Sequence, residues 1–456
     1  MKPSLDGFSV ETRLLRKVTW VLVALAGPLA QADDLKLSVS GPWQIRLELP
    51  RAAAGGAPTE VVLQVPPAVE TAVVNERYAS LPFYQSNSPG WAKGMALRGV
   101  KTQETAAKGM LDPGSLQLRT ESAPDAPVLT RGEDYGADLE WGTYGRLPQG
   151  RIREGQAVFA TYRYGQSRLD TVVRTREGQI RLREGVPHVA VPQPPTLAAG
   201  EIALANLWLP GRLKQLGTNN LLPILETEYP TVPKLSPSPA ERFFPKTFKK
   251  LKEGQPVRLL AWGDSVTDAS YLPAPARERW QAQFVERLKQ RFPAANIELV
   301  TEAWGGRNTD SYLGEPPGSP HNYTEKVLAA KPDLIVSEFV NDAGFSPAQV
   351  EERYSRLWTD FQGIGAEWII LTPHYVRPDW MGLTRERDID EDPRPYVAGL
   401  RQFAARHEVA LADAAKRWGR LWRQGVPYTT LLSNAINHPD PRGMRLFADS
   451  LMELFP

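Results

Sequence analysis

The amino-acid sequence predicts an α/β protein in which a doubly wound parallel sheet, residues 256–456, follows an all-β, sandwich-like region, residues 33–229. Three observations carry that expectation. Short runs of alternating apolar and polar residues fill the first half. Apolar strand-like runs alternate with amphipathic helix-like runs in the second. A segment dense in proline and lysine, residues 230–255, separates the two. Period-2 alternation with Gly and Pro between the runs marks half-buried antiparallel strands. Wholly apolar strands alternating with helices instead need both sheet faces covered.

The first element precedes both halves. Residues 13–32, RLLRKVTWVLVALAGPLAQA, join a basic start, an apolar run too short to span a bilayer, and Ala30-Gln31-Ala32 as a small-x-small cleavage site. They predict a signal peptide over residues 1–32 cut after Ala32, and a secreted or periplasmic mature protein. Disulfides, a thiol nucleophile and thiolate metal sites are excluded, because the chain has 0 cysteines. The formal net charge is +2, and the leader carries Lys2, Arg13, Arg16 and Lys17 against Asp6 and Glu11. The remainder is near neutral, which argues against nucleic acid as a partner. No later segment reaches membrane-spanning length.

From Asp33 to about Glu228, runs such as LKLSVS, WQIRLELP, EVVLQV, GQAVFATYRYG and GQIRLREG read as strands, interrupted by an irregular excursion around SNSPGWAKGMALRGVKTQETAAKGML. Their Tyr and Trp residues are expected in the core or in cross-strand pairs. In the separating segment, proline density predicts an extended, semi-rigid linker, with one short helix in KTFKKLKEG. Beyond it, VRLLAWG, IELVTEAW, DLIVSEFV, EWIILTPH and VALADA read as strands. Between the first two, Trp280, Phe284, Leu288 and Phe292 recur every four residues, an apolar helix stripe. Ser346-Pro347-Ala348-Gln349 is a capping box that opens another helix.

Open parallel sheets bind ligands beyond the carboxyl ends of their strands. Ser265 falls there, after the first strand, in Gly263-Asp264-Ser265-Val266. Gly306 follows the second strand in AWGGRNTD, Asn341 follows the third in EFVNDA, and His438 precedes a C-terminal helix in NHPD. These four blocks, in this order, resemble the GDSL or SGNH-hydrolase superfamily of esterases and acyl hydrolases. The resemblance covers about residues 256–456 and implies a flavodoxin-like sheet without cofactor or metal. It also implies Ser265 as nucleophile, His438 as its base, and an oxyanion hole from the Ser265 N–H, Gly306 and Asn341.

Two departures from the family pattern stand out. Phe339 occupies the glycine position of Gly-x-Asn-Asp, which predicts altered packing with Asn341 retained. Ala435 occupies the usual position of the triad aspartate, three residues before the histidine. The expectation is therefore a Ser–His dyad, its imidazole held by a backbone carbonyl or an asparagine; the alternative is another acid, such as Asp440 or one from Asp388–Asp392.

After the fourth strand, TPHYVRPDWMG places His374, Tyr375, Arg377, Asp379 and Trp380 at the same edge, as substrate-binding candidates or as a structured loop. Arg307, beside Gly306, is a further candidate. RERDIDEDPRPY reads as a solvated loop or a lid. The function these residues imply is a secreted serine esterase that removes acyl groups, acetyl foremost, from a carbohydrate, glycan or other acylated small molecule. The alternatives are a lipase or lysophospholipase of the same superfamily and a non-catalytic glycan- or surface-binding protein.

Overall fold

In a computed structural model the protein is described over residues 35–49, 59–231, 233 and 235–455. The expected signal segment lies outside the described residues. The parallel sheet comprises β1 (Pro256–Gly263), β2 (Asn296–Ala303), β3 (Leu334–Glu338), β4 (Glu367–Leu371) and β5 (Ala410–Ala412). All neighbours pair in parallel, in the order β2-β1-β3-β4-β5. This is the flavodoxin-like order, with the strand sequence reversing beside β1. Gly263 stands level with Ala303 on one side and Glu338 on the other, so the loops leaving β1, β2 and β3 emerge together.

Helices cover both faces, as the apolar strands require. On one side α2 (Trp280–Arg291) packs against α5 (Pro441–Met452), and on the other α3 (Pro347–Gly363) packs against α4 (Pro395–His407). Trp280, Phe284 and Leu288 form the buried stripe of α2, while Phe292 caps its C-terminus. Ser346 and Gln349 form the expected reciprocal cap of α3.

The separating segment differs from the extended spacer expected. It holds the helix Pro245–Glu253 and a second one, Pro239–Phe243. Ala240, Phe244, Phe248 and Leu251 are buried in the core of the parallel-sheet domain. Glu367, which opens β4, accepts the N–H groups of Lys246 (2.9 Å) and Thr247 (2.7 Å). Prolines at both helix starts explain the arrangement, since a fixed φ at N1 suits a helix as well as an extended chain.

The first half is built from small antiparallel sheets. Strands Lys36–Gly41, Gln44–Leu49 and Thr59–Gln64 form one, and Arg168–Arg174 with Ile202–Leu209 form the centre of a four-stranded second. Both sheets contribute to one core, with Ile45 and Leu47 from one and Val172, Leu207 and Leu209 from the other. A separate core holds Tyr78, Trp141, Tyr144 and Tyr162, so these aromatics pack inside. It also contains Ile436, a residue of the parallel-sheet domain, which thereby joins the two halves. No helix among the described residues is long and apolar enough to cross a membrane.

Candidate active site

β1 ends at Gly263 because the chain turns sharply there. A Cβ on Gly263 would lie 2.2 Å from Thr267 Oγ1 and 2.3 Å from the Glu338 carbonyl oxygen. The next residue, Asp264, caps the single-turn helix α1 (Ser265–Asp268) by accepting the Val266 N–H at 3.0 Å. Its second oxygen accepts the Asn341 N–H at 2.9 Å. One buried carboxylate thus ties the serine loop to the asparagine loop. Ser265 is the first residue of its helix, where an N–H has no intrahelical acceptor.

The loop after β2 turns at Gly306, whose φ of +72° favours glycine. The Asn341 side-chain amide donates to the Arg307 carbonyl at 3.3 Å. An amide has two N–H donors, so this bond orients the group without exhausting it. Phe339 does change the packing here: it is buried edge-on against Trp262, with ring centroids 4.8 Å apart.

His438 reaches the site from the far end of the sequence. Its Nε2 lies 3.1 Å from Ser265 Oγ. Tyr271 stacks on the imidazole at 4.2 Å, with the planes 7° apart, and its hydroxyl donates to the Pro439 carbonyl at 3.1 Å. Asn434 shapes the loop: its Oδ1 accepts the N–H groups of Ile436 (3.0 Å), Asn437 (2.8 Å) and His438 (3.0 Å). Ser265, Gly306, Asn341 and His438 line one cavity of about 350 Å³.

The other ring nitrogen departs from the sequence expectation. Nδ1 faces neither a backbone carbonyl nor an asparagine, but Gln103 Oε1 at 3.2 Å and Glu104 Oε2 at 3.3 Å. Both residues belong to the β-rich half. The acids named as alternatives are engaged elsewhere: Asp440 caps α5 and holds Arg442, Asp392 holds Arg394, and Asp390 holds Arg423. Asp388 pairs with Arg385. Ala435 sits in the left-handed region at φ +57°.

The remaining candidates separate. His374 and Tyr375 are fully buried and do not line the cavity. His374 Nε2 donates to the Asn437 carbonyl at 2.7 Å, which braces the histidine loop from behind. Arg307 is exposed, its guanidinium 5.1 Å from the Trp304 ring centre. Arg377 pairs with Asp379 (2.6 Å) and sits within 5.7 Å of the ring centres of Trp91, Trp141 and Trp380. Trp380 is 50% exposed and lines the cavity together with Trp91, from the β-rich half, 5.8 Å away. A second cavity of about 440 Å³ shares Asn341, Trp380 and Asn437 with the first, so the groove continues past Trp380. A larger cavity of about 570 Å³, on the β-rich half, is lined by Arg151, Arg153 and Glu154 and holds neither Ser265 nor His438.

Burial sets the electrostatics. It lowers the His438 pKa below the usual 6.5, against the opposing pull of Glu104 and Asp268, so the ring is neutral at neutral pH. Beneath the site three carboxylates are buried together. Burial pushes Asp264 and Asp342 up to about 7, and Glu338 well above its usual range. Glu338 therefore keeps its proton, because adjacent buried carboxylates cannot all ionise.

Sequence reasoning missed Gln103, Glu104 and Trp91. No local signal marks them: they lie in the irregular part of the β-rich half, over 300 residues from His438.

Comparison with known proteins bears on the parallel-sheet half. Residues 261–446 match the GDSL-like Lipase/Acylhydrolase family. Among solved structures, a catalytic mutant of Axe2, an acetylxylan esterase from Geobacillus stearothermophilus, is 20% identical, over 44% of this chain and 94% of that one, with a TM-score of 0.35. A two-domain esterase (CEX) active on acetylated mannans is 15% identical, over 47% of this chain and 52% of that one, at 0.38. A member of the lipolytic protein G-D-S-L family from Veillonella parvula DSM 2008 is 17% identical, over 43% and 97%, at 0.30. Comparison with curated proteins gives no match.

Proposed function

We propose that this GDSL-like hydrolase domain is a secreted serine esterase acting on acyl esters, acetyl foremost, of a carbohydrate. The observation that carries the reading is the 3.1 Å contact between Ser265 Oγ and His438 Nε2 in a cavity also lined by Gly306 and Asn341. His438 Nε2 takes the Ser265 proton as Oγ attacks the ester carbonyl carbon. The carbonyl electrons move onto oxygen, where the N–H groups of Ser265 and Gly306 and the Asn341 amide receive the charge. Collapse expels the alcohol, protonated by His438, and leaves an acyl group on Ser265. Water, deprotonated by the same imidazole, then releases the acid.

The wall chemistry supports the substrate class. Asn341 and Asn437 line the cavity and present side-chain amides that the hydroxyl groups of a sugar can partner. Trp91 and Trp380 offer an aromatic wall on which a sugar ring can stack. Export rests on the leader pattern of residues 13–32.

The test is hydrolysis of p-nitrophenyl acetate, butyrate and octanoate by wild type and Ser265→Ala. Acetate is expected to be the best ester, and the variant to lose about 10⁴-fold or more in turnover. A preference for octanoate transfers the reading to a lipase, and an unaffected Ser265→Ala ends the nucleophile assignment.

A further inference from the structure

The parallel-sheet domain contains a nucleophile and a base but no acid of its own against the base. The missing contact comes from a tight hairpin in the β-rich half. Lys101 and Ala106 pair antiparallel, Ala107 N–H donates to Val100 at 2.8 Å, and Thr102 N–H donates to the Thr105 carbonyl at 3.0 Å. Gln103 and Glu104 are the two residues at its tip. The tip is bound to the histidine loop at several points. Thr105 Oγ1 donates to the Asn434 carbonyl at 2.5 Å, and the Gln103 N–H points at the Ser433 carbonyl at 3.4 Å. Two residues after Asn434, the loop sends Ile436 into the core beneath the hairpin, where Val100 and Ala106 also pack.

We infer that this hairpin tip completes the catalytic relay. The Glu104 carboxylate, with the Gln103 side-chain carbonyl beside it, receives the His438 Nδ1–H across the domain boundary, making the active site a composite of both halves. The inference rests on the Ser265–His438 reading given above. The proton that moves is the Ser265 hydroxyl proton, which passes to Nε2. The Nδ1 proton stays on the ring, and the Glu104 carboxylate beside it stabilises the imidazolium.

Glu104 is a positioning residue, since it touches the base and not the substrate. It selects the tautomer with hydrogen on Nδ1, so that Nε2 carries the lone pair facing Ser265 Oγ. Two observations set its strength. The Glu104 side chain is 52% exposed, so water screens its charge, whereas the His438 side chain is only 7% exposed. Gln103 offers a neutral acceptor at 3.2 Å and preserves part of the orientation when the charge is removed.

The other groups around the imidazole do not substitute for it. Asp268, at the end of α1, favours the charged ring from a distance. Tyr271 stacks on the ring face and donates its own proton to Pro439. His374 is held neutral by burial and acts through the Asn437 carbonyl.

The experiment compares wild type, Glu104→Gln and Ser265→Ala, all as the full-length chain. Turnover and KM for p-nitrophenyl acetate are measured as functions of pH, and His438 is titrated by ¹⁵N NMR. Glu104→Gln is isosteric at an exposed tip, so the fold is expected to survive, with an unchanged thermal midpoint as the check. Its kcat is expected to fall about 10²-fold, less than the roughly 10⁴-fold of a buried triad aspartate, with KM within two-fold. The His438 pKa, and with it the acidic limb of kcat/KM, is expected to shift to lower pH, because a charge that favours imidazolium has been removed. A variant with wild-type kcat and an unmoved His438 titration overturns the inference. An inactive wild type, or an active Ser265→Ala, overturns the esterase reading instead. The NMR titration needs no substrate, so the two failures are distinguishable.

Discussion

The two nitrogens of His438 face two differently built regions of the molecule. Nε2 faces the edge of the parallel sheet, where Ser265, Gly306 and Asn341 each follow the end of a strand. Nδ1 faces a hairpin tip in the β-rich half, held by a few loop-to-loop hydrogen bonds. The first side is placed by sheet register, because Gly263, Ala303 and Glu338 stand level and their loops leave together. The second is placed by the fit between two halves that share Ile436. On the proposed reading, a site assembled this way couples catalysis to the packing of the β-rich half, even though the proposed nucleophile and base lie elsewhere.

Substitutions on the two sides sharpen that contrast, and the largest effects belong to the sheet edge and the loop behind it. His438→Ala is expected to lower kcat about 10⁴-fold or more, matching Ser265→Ala, because the pair acts as a unit. The double variant is expected to be no slower than either single one, which single-turnover kinetics will show. Asn434→Ala strips three backbone N–H groups of their acceptor at once. It is expected to cost about 2–4 kcal/mol in urea unfolding, since each buried donor left unpaired costs about 1–3 kcal/mol and part of the loop relaxes. Activity should fall with it, as the imidazole loses its seat.

Smaller effects belong to the rim and to the buried acids. Trp380→Ala is expected to raise KM for an acetylated oligosaccharide about 10-fold, the loss of a stacking contact worth about 1.5 kcal/mol. Its kcat on p-nitrophenyl acetate should stay within two-fold, because the small ester does not reach the rim. Glu338→Gln addresses the carboxylates under the sheet edge. In the folded state Glu338 holds its proton above the usual range and has one oxygen without a partner, so the unfolded chain ionises first as pH rises. Wild-type stability is therefore present in acid and declines as pH climbs through and above the unfolded value of 4.5. Glu338→Gln is expected to flatten that decline in denaturation midpoints measured from acid to alkaline pH. Asp264 and Asp342, raised to about 7, retain a decline of the same sign between 3.8 and about 7.

Much of the candidate site's sheet edge was legible in the sequence, for a physical reason. Strand–helix alternation dictates which strand ends lie together, so motif residues just past those ends converge without knowledge of tertiary detail. The stripe of Trp280, Phe284 and Leu288 and the cap at Ser346 were legible because they are local. His374 and Tyr375 misled because a residue can follow a strand end and still turn inward. They were grouped with Trp380, yet His374 braces the histidine loop from the core and Tyr375 packs edge-on against Tyr428, while Trp380 stands at the rim. The helix at Pro245–Glu253 was legible within the separating segment, but the one at Pro239–Phe243 was read as extended spacer, because proline density does not distinguish an extended chain from a proline-initiated helix. Glu104 was invisible for the deepest reason: its role is a contact across the two halves, and composition and period carry no information about such contacts.

The central claim is that the β-rich half acts on catalysis through His438. A double-mutant cycle between Glu104→Gln and His438→Ala, read in kcat for p-nitrophenyl acetate, tests it most directly. Glu104→Gln is expected to slow the wild type about 10²-fold yet to change the His438→Ala enzyme by less than two-fold, the non-additivity of two residues that work as one. An equal loss in both backgrounds would contradict the claim and assign Glu104 to substrate binding or to the fold.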